Sequence, residues 1–257
     1  MSLSMQNLPP GLWRASELAQ GQGPVRATGF VELDQELPGG GWPAGALAEL
    51  LPTHAGIGEL RLLLPALATL TRVGKPVVMI APPYLPYAPA LAGAGVDLRH
   101  LVLVHARAPS GATAPPAADD LWAAEQALKS ASCGAVLAWL PQARADQLRR
   151  LQLAAAGSDA LAWVVRQPQA LASSSPAPLR LALEPAPGSG LLIHFHKRRG
   201  PARGMPLRLD LPAHHPKLGP PRSDTVLSPD SGGLYALLDC TALALAHPRG
   251  LSTDLAA

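Results

Sequence analysis

Five short apolar runs, each set off from the next by helical spacing, limit what this chain can fold into more than any other feature. They are ALAELL (Ala46–Leu51), VVMI within KPVVMIAP, LVLV within HLVLVHA, AVLAW within AVLAWLP and LAWVV within ALAWVVRQP. ALAELL alternates and is a plausible first strand, while the continuous, β-branched run in KPVVMIAP suits a strand buried on both faces, as in a parallel sheet. Helical patterns lie between them. The first spans Glu59 to Arg72, where Pro65 is expected to break or kink the helix. PYAPALAGAGV is the second. The third is LWAAEQALKSA, with Asp119 or Asp120 as its natural N-cap. QARADQLRRLQLAAAG is the fourth, ending at Gly157 as a C-cap. This alternation is the order of an α/β protein with a doubly wound, mainly parallel sheet and helices on both faces.

The spacing then changes. PLRLALEP and GLLIHFHKRRG alternate apolar and polar residues around APGSG, which reads as an antiparallel hairpin. MPLRLDLP can add an edge strand, so the expected sheet carries a C-terminal antiparallel β extension. Ahead of the first strand, PPGLWRASELAQ reads as a short amphipathic helix anchored by Leu12, Trp13 and Leu18. A helical turn over Glu32 to Leu37 follows, then three consecutive glycines. The expected divisions are an N-terminal helical segment over 1–26, a core over 27–212, and a Pro-rich linker with an apolar tail over 213–257. The tail holds an apolar island, GLYALLDCTALALA, suited to docking on its own domain or in a partner's groove.

With 257 residues and 48% hydrophobic content, one substantial core can be buried. The formal charge of +3 is too small to argue for nucleic-acid binding by itself, but its distribution is polarised. Ala27 to Leu60 holds five carboxylates and no Lys or Arg, whereas Lys197 to Arg222 holds seven bases and one acid, Asp210. The basic end is thereby open to phosphates or an acidic partner. Cys133 and Cys240 are too few for a disulfide framework and have no metal-ligand spacing. LRLLLPALATL is too short to span a bilayer. No basic region followed by an apolar one opens the sequence. The expectation is a soluble, cytoplasmic protein with no membrane partner.

The first strand runs into LLPTHAGIGELRLLLP, which has the placement of a phosphate-binding loop without its residues. A working loop, G-x-x-x-x-G-K-[ST], cradles phosphates with backbone N–H groups, neutralises them with the lysine and holds Mg²⁺ with the hydroxyl. With Gly56 as the second glycine, the lysine position holds Ile57, the hydroxyl position Gly58 and the first glycine position Leu51. Glu59 follows, an anion at the positive end of the next helix. The strand expected beside the loop, AVLAWLPQ, ends in Leu140 and Pro141 where a magnesium-assisting acid would sit. VVMIAPPY ends in Ala81, Pro82 and Pro83 where a catalytic carboxylate could. The reading is therefore a structural turn over Pro52, Thr53, His54, Ala55, Gly56, Ile57 and Gly58. No catalytic residue, nucleotide-binding residue, cofactor or enzymatic activity is expected.

Candidate contacts for DNA or a partner are Lys197, Arg198, Arg199 and Arg203, with Arg208 further on. They gather at a hairpin end, where phosphates or an acidic protein surface could be met. Phe195 is expected on the strand face opposite His194 and His196. These histidines share a face, with His214 and His215 nearby, but no third ligand has convincing spacing and no metal is expected. In DQLRRLQLAAA, Leu148 and Leu151 are expected inward and Arg149 and Arg150 solvated. Trp122, Trp139 and Trp163 are expected in the core.

ATGFVELDQELPGGGWPAGALAELLPTHAGIGELRLLLPAL resembles the opening of a RecA-type core. Thr28, Gly29, Leu33, Asp34, Gly40, Gly41, Pro43 and Gly45 fit that frame, and the resemblance spans about Ala27 to Gln167. More closely, the chain resembles the ImuA family of RecA-like proteins lacking ATPase machinery. The added features are the degenerate loop, SSSPAPLRL (Ser173 to Leu181) and HKRRGPARGMPLRLDLP (His196 to Pro212). That resemblance implies a non-enzymatic accessory role in SOS-linked, error-prone translesion DNA synthesis. The implied partners are an ImuB-type Y-family polymerase homologue and an error-prone DnaE-type polymerase, with RecA a further candidate and DNA reached through the basic hairpin. The alternatives are a likeness to the SulA family, RecA-like division inhibitors that bind FtsZ, and a surviving nucleotide-dependent ATPase.

Overall fold

The computed structural model describes residues 23–105, 117–200 and 203–212. The expected helix around Leu12, Trp13 and Leu18, Cys240, His214, His215 and the apolar tail lie outside the described residues. Val25–Arg26 (β1), at the end of the segment expected to be helical, pairs antiparallel with Trp42–Pro43 (β2). Between them lies the helix Val31–Glu36 (α1).

The elements that follow are β3 (Leu47–Pro52), α2 (Glu59–Arg72), β4 (Val77–Ile80), α3 (Ala88–Gly93) and β5 (Leu101–Val104). Next come α4 (Ala117–Lys129), β6 (Ala135–Trp139), α5 (Ala145–Ala156) and β7 (Leu161–Val165). The last are β8 (Leu179–Pro185), β9 (Gly190–Lys197) and β10 (Leu207–Asp210). Eight strands form one sheet in the order β10-β9-β8-β3-β7-β6-β4-β5. From β8 to β5 every pairing is parallel, and β8, β9 and β10 pair antiparallel at the other end. The architecture is thus α/β with a large, mixed, mostly parallel sheet.

The apolar runs become central strands because both of their faces are covered. Along β7, Leu161, Trp163 and Val165 enter one core, and Ala162 and Val164 the other. Leu33 of α1, Leu62 and Leu67 of α2 and Leu91 of α3 pack on the first face. Leu121 and Leu128 of α4 and Leu148 and Leu151 of α5 pack on the second. Trp42 and Trp163 meet edge-to-face, with centroids 5.7 Å apart, inside the first core. Among the described residues no helix is long and apolar enough to cross a membrane.

Three local expectations are corrected. The helix α2 runs unbroken through Pro65. Burial of Leu62, Leu63, Ala66 and Leu67 holds the helix on both sides of the proline, whose ring packs against Gly29, where an added Cβ would lie 2.3 Å from the Pro65 Cβ. Asp119 and Asp120 are not N-caps: α4 begins at Ala117, which puts both acids in its first turn, where they still complement the helix dipole. Trp122 is not a core residue. It is 62% exposed, while Trp139 and Trp163 are buried, because Leu121, Ala124 and Leu128 form the inward stripe of α4.

The Thr-Gly-x-x-x-Leu-Asp turn has a local physical account. Asp34 Oδ1 accepts the Thr28 N–H at 2.8 Å, the Thr28 hydroxyl is shared with Phe30, and Leu33 fills the core. A Cβ at Gly41 would lie 2.3 Å from the Arg26 carbonyl oxygen. Glycine there lets β1 and the β2 entry approach.

Candidate functional site

The loop after β3 is filled by the chain itself. Glu59, the first residue of α2, turns its carboxylate back over the loop. The Gly56 N–H donates to Oε1 at 2.9 Å and Oε2 at 3.2 Å, and the Gly58 N–H donates to Oε2 at 3.2 Å. Gly56 and Gly58 adopt φ of +86° and +122°, the left-handed region that glycine reaches without steric cost. The amides a phosphate loop would offer to a ligand therefore face an internal carboxylate, which is itself buried.

The neighbours of the loop complete this picture. Ile57, at the lysine position, is buried in the first core. Thr53, His54, Ala55 and Gly56 are exposed, and Pro52 is buried. A Cβ on Gly58 would meet Leu211 Cδ1 at 2.9 Å and Arg61 at 3.2 Å, so the segment after β10 closes over the loop's last residue. The donor set does not fit a magnesium–triphosphate group. No ammonium or hydroxyl stands at the two positions that need one, and the helix terminus already carries a negative group.

The strand beside the loop strand is not the one expected. β3 lies between β7 and β8, and β6 is one strand further away. A parallel sheet is assembled through crossovers, so strand order departs from chain order. The true neighbour, β7, continues into Arg166, a cation where an acid was sought.

Arg166 belongs to an ionic group beneath the sheet's end. Glu49, fully buried in mid-strand, accepts from Arg180 Nε at 2.7 Å, Arg166 Nη1 at 3.3 Å and the Ser175 hydroxyl at 2.5 Å. Arg180 also donates to the carbonyls of Ser173 at 3.1 Å and Ala170 at 2.7 Å. Arg166 donates to the Ala143 carbonyl at 2.5 Å. A buried carboxylate is tolerable only when its lone pairs are taken up by donors. Here the donors simultaneously tie down the 3-10 turn Pro168–Ala172 and the chain leading to β8.

The basic residues proposed from sequence separate into two kinds. Arg198 and Arg203 turn onto Glu36 at the end of α1. Arg198 reaches its carboxylate at 3.1 Å and its backbone carbonyl, and Arg203 bonds the other carboxylate oxygen. Arg198 also stacks over Phe195, 5.0 Å from the ring centroid. Phe195 packs against the first core. Lys197 and Arg199 are exposed, and the Lys197 ammonium donates to the Ser175 carbonyl at 2.8 Å. His194 is half-buried, 3.5 Å from Glu184. Burial, with Arg180 and His194 nearby, pushes the His196 imidazole below its usual range. Among the described residues no group of three His, Cys, Asp or Glu side chains is placed to hold a metal ion.

On α5, Leu148 and Leu151 are buried and Arg149 exposed. Arg150 pairs with Glu125 of α4, which Lys129 also approaches at 2.7 Å. Buried Cys133 has its thiol pushed up by desolvation.

Sequence reasoning passed over Glu49, Arg166, Ser175 and Arg180. A signal was present: a glutamate inside an otherwise apolar strand, and arginines flanked by apolar residues in WVVRQ and PLRLAL. A charge embedded in a buried run requires an opposite charge nearby. No protein-family model and no curated protein matches this chain.

Proposed function

We propose that this chain is a non-enzymatic, RecA-like accessory protein of the ImuA type. It would act as an adaptor in SOS-linked, error-prone translesion synthesis. Its partners in this reading are an ImuB-type Y-family polymerase homologue and a DnaE-type polymerase. RecA and DNA are further candidates for contact. The observation that carries the non-enzymatic part is the Glu59 carboxylate seated on the Gly56 and Gly58 amides. An anion supplied in cis competes with any incoming phosphate by both occupancy and charge. A parallel sheet with a C-terminal antiparallel extension supports the RecA-type frame.

Two measurements test this reading. Equilibrium binding of labelled ATP with Mg²⁺ should give no micromolar affinity, and purified protein should not turn ATP over. Turnover lost on substitution of Ile57 or Glu59 overturns the non-enzymatic reading. Affinity capture from DNA-damaged cells should recover the polymerase homologue. Recovery of the division protein instead, with filamentation on expression, replaces the adaptor with a division inhibitor.

A further inference from the structure

A cleft of about 390 Å³ opens at the amino ends of the parallel strands, a volume in the range that small ligands occupy. Its floor is the entry to three adjacent strands. Gly134 leads into β6, Ala160 into β7, and Lys75 with Pro76 into β4. Backbone bonds fix that floor: the Gly134 N–H donates to the Pro76 carbonyl at 2.7 Å, and the Leu161 N–H to the Gly134 carbonyl at 2.9 Å. A Cβ on Gly134 would lie 2.8 Å from the Lys75 Cβ, so glycine there lets the lysine stem lie on the floor. Ala131, also lining the cleft, holds φ of +50°, an uncommon conformation for a residue with a Cβ. The turn is held by Ser130, whose hydroxyl donates to the Ala127 carbonyl at 2.8 Å and lies 2.9 Å from the Ser132 hydroxyl. Strain maintained by its surroundings concentrates at sites with work to do.

The cleft holds charges of both signs. Arg26, at the end of β1, and Lys75 bring cations, and Asp159 brings a carboxylate. All three are exposed, and none makes an ion pair or side-chain hydrogen bond among the described residues. Charges nearby are already matched: Lys129 and Arg150 pair with Glu125, and Arg99 with Asp97. Arg72 supplies a basic residue to the last turn of α2, whereas the last turn of α5 has none. The end of α5 opens on the cleft at Ala156 and Gly157, next to Asp159 in the chain. A helix C-terminus carries partial negative charge that favours a cation. One concavity thus presents two unpartnered cations and one unpartnered anionic end. The complementary ligand carries two negative groups and one positive group. A nucleic-acid backbone would satisfy the cations but bring like charge to Asp159 and the helix end.

We propose that this cleft binds a small zwitterion of the acidic amino-acid class. Arg26 and Lys75 take its two carboxylates, and Asp159 with the end of α5 takes its ammonium group. The site is independent of the function proposed above, and its failure would leave that reading intact.

The test is calorimetric titration of the full-length chain with L-glutamate and with glutarate, which keeps both carboxylates and lacks the ammonium. Wild type should bind glutamate roughly threefold more tightly than glutarate, the margin of one solvent-facing ion pair. D159N should erase that preference. R26A/K75A should bind glutamate roughly tenfold more weakly, having lost two such pairs, with unchanged circular dichroism. R72A, which removes an exposed cation outside the cleft lining, should bind like wild type. No binding of glutamate by wild type overturns the site, as does equal binding by R26A/K75A. A loss in R72A as large as in R26A/K75A also overturns it, because general charge rather than the cleft then attracts the ligand. Glutarate bound as tightly as glutamate overturns the zwitterion. Oligo-dT binding lost in R26A/K75A, with glutamate bound by neither protein, reassigns the two cations to a phosphate backbone and overturns the site.

Discussion

Glu49 and Arg180 face each other across adjacent parallel strands, joined by a 2.7 Å hydrogen bond with neither side chain open to solvent. Arg166 approaches the same carboxylate from the strand on the other side. The group stitches together three strands and the crossover between the last two. Replacing Glu49 with Gln leaves two guanidinium groups buried without their anion. Removing one partner of a buried pair costs about 3–5 kcal/mol. Urea denaturation should show a loss of that order for E49Q, and less than the summed losses for an E49L/R180L double variant.

The Glu59 side chain is expected to be an internal substitute for a bound anion. E59A should lose about 1.5 kcal/mol, the lower range for hydrogen bonds to a charged acceptor, since Gly56 remains open to water. Inorganic phosphate should then raise the melting temperature of E59A more than that of wild type. Thermal melts with and without phosphate measure both effects.

Gly29 combines φ of +90° with close contact against Pro65. G29A should destabilise by about 2–4 kcal/mol, from overpacking and left-handed strain together. Adding P65G, which removes the clashing Cβ, should recover only the overpacking part when compared with P65G alone, because the backbone strain remains. Chemical denaturation of the variants separates the contributions.

Of the basic residues at the hairpin end, Lys197 and Arg199 are the ones exposed to solvent, so they are the pair expected to meet any phosphate backbone. If DNA is contacted there, K197A/R199A should reduce the slope of log K against log salt by about 2. R198A and R203A should instead lower stability through loss of the Glu36 contacts. Oligonucleotide anisotropy across a salt series, paired with melting curves, distinguishes these effects.

Stability should fall at acid pH for a defined set of carboxylates. The Arg99 guanidinium hydrogen-bonds Asp97 and lowers its carboxyl from 3.8 to about 2. Lys129 and then Arg150 lower Glu125 against the opposing effect of desolvation. A carboxylate with a depressed folded-state pKa binds protons more readily when unfolded. Its contribution is therefore complete above the unfolded value and lost as pH falls through the folded one. Wild type should lose stability between about pH 4.5 and 2, and D97N/E125Q should lose less over that window. Urea titrations at each pH provide the comparison.

Much of the strand-and-helix order was legible because it depends on neighbours in the chain. Apolar runs, proline and glycine positions and the 3.6-residue stripe act within a turn or a strand. The wrong residues in the loop after β3 were equally visible, and Glu59 was identified from its place at a helix start. Pro65 was misjudged because its cost is local to one turn, whereas the helix is held on both sides of it by the burial of Leu62, Leu63, Ala66 and Leu67 in the core. Trp122 was misjudged because an aromatic residue beside an inward stripe has the same composition as one within it.

Local sequence thus established the alternation of strands and helices, and a glycine-bearing loop after β3 with Ile57 and Gly58 where a phosphate loop would carry a lysine and a hydroxyl. Tertiary structure alone decided which charges meet. Glu49 finds Arg180 across 131 positions, and Arg198 finds Glu36 across 162. Strand order sets those encounters, and no period within the chain encodes it. The reason is electrostatic as well as geometric: a charge inside a low-dielectric core must be matched wherever the fold brings a partner, and that place exists only once the sheet has assembled.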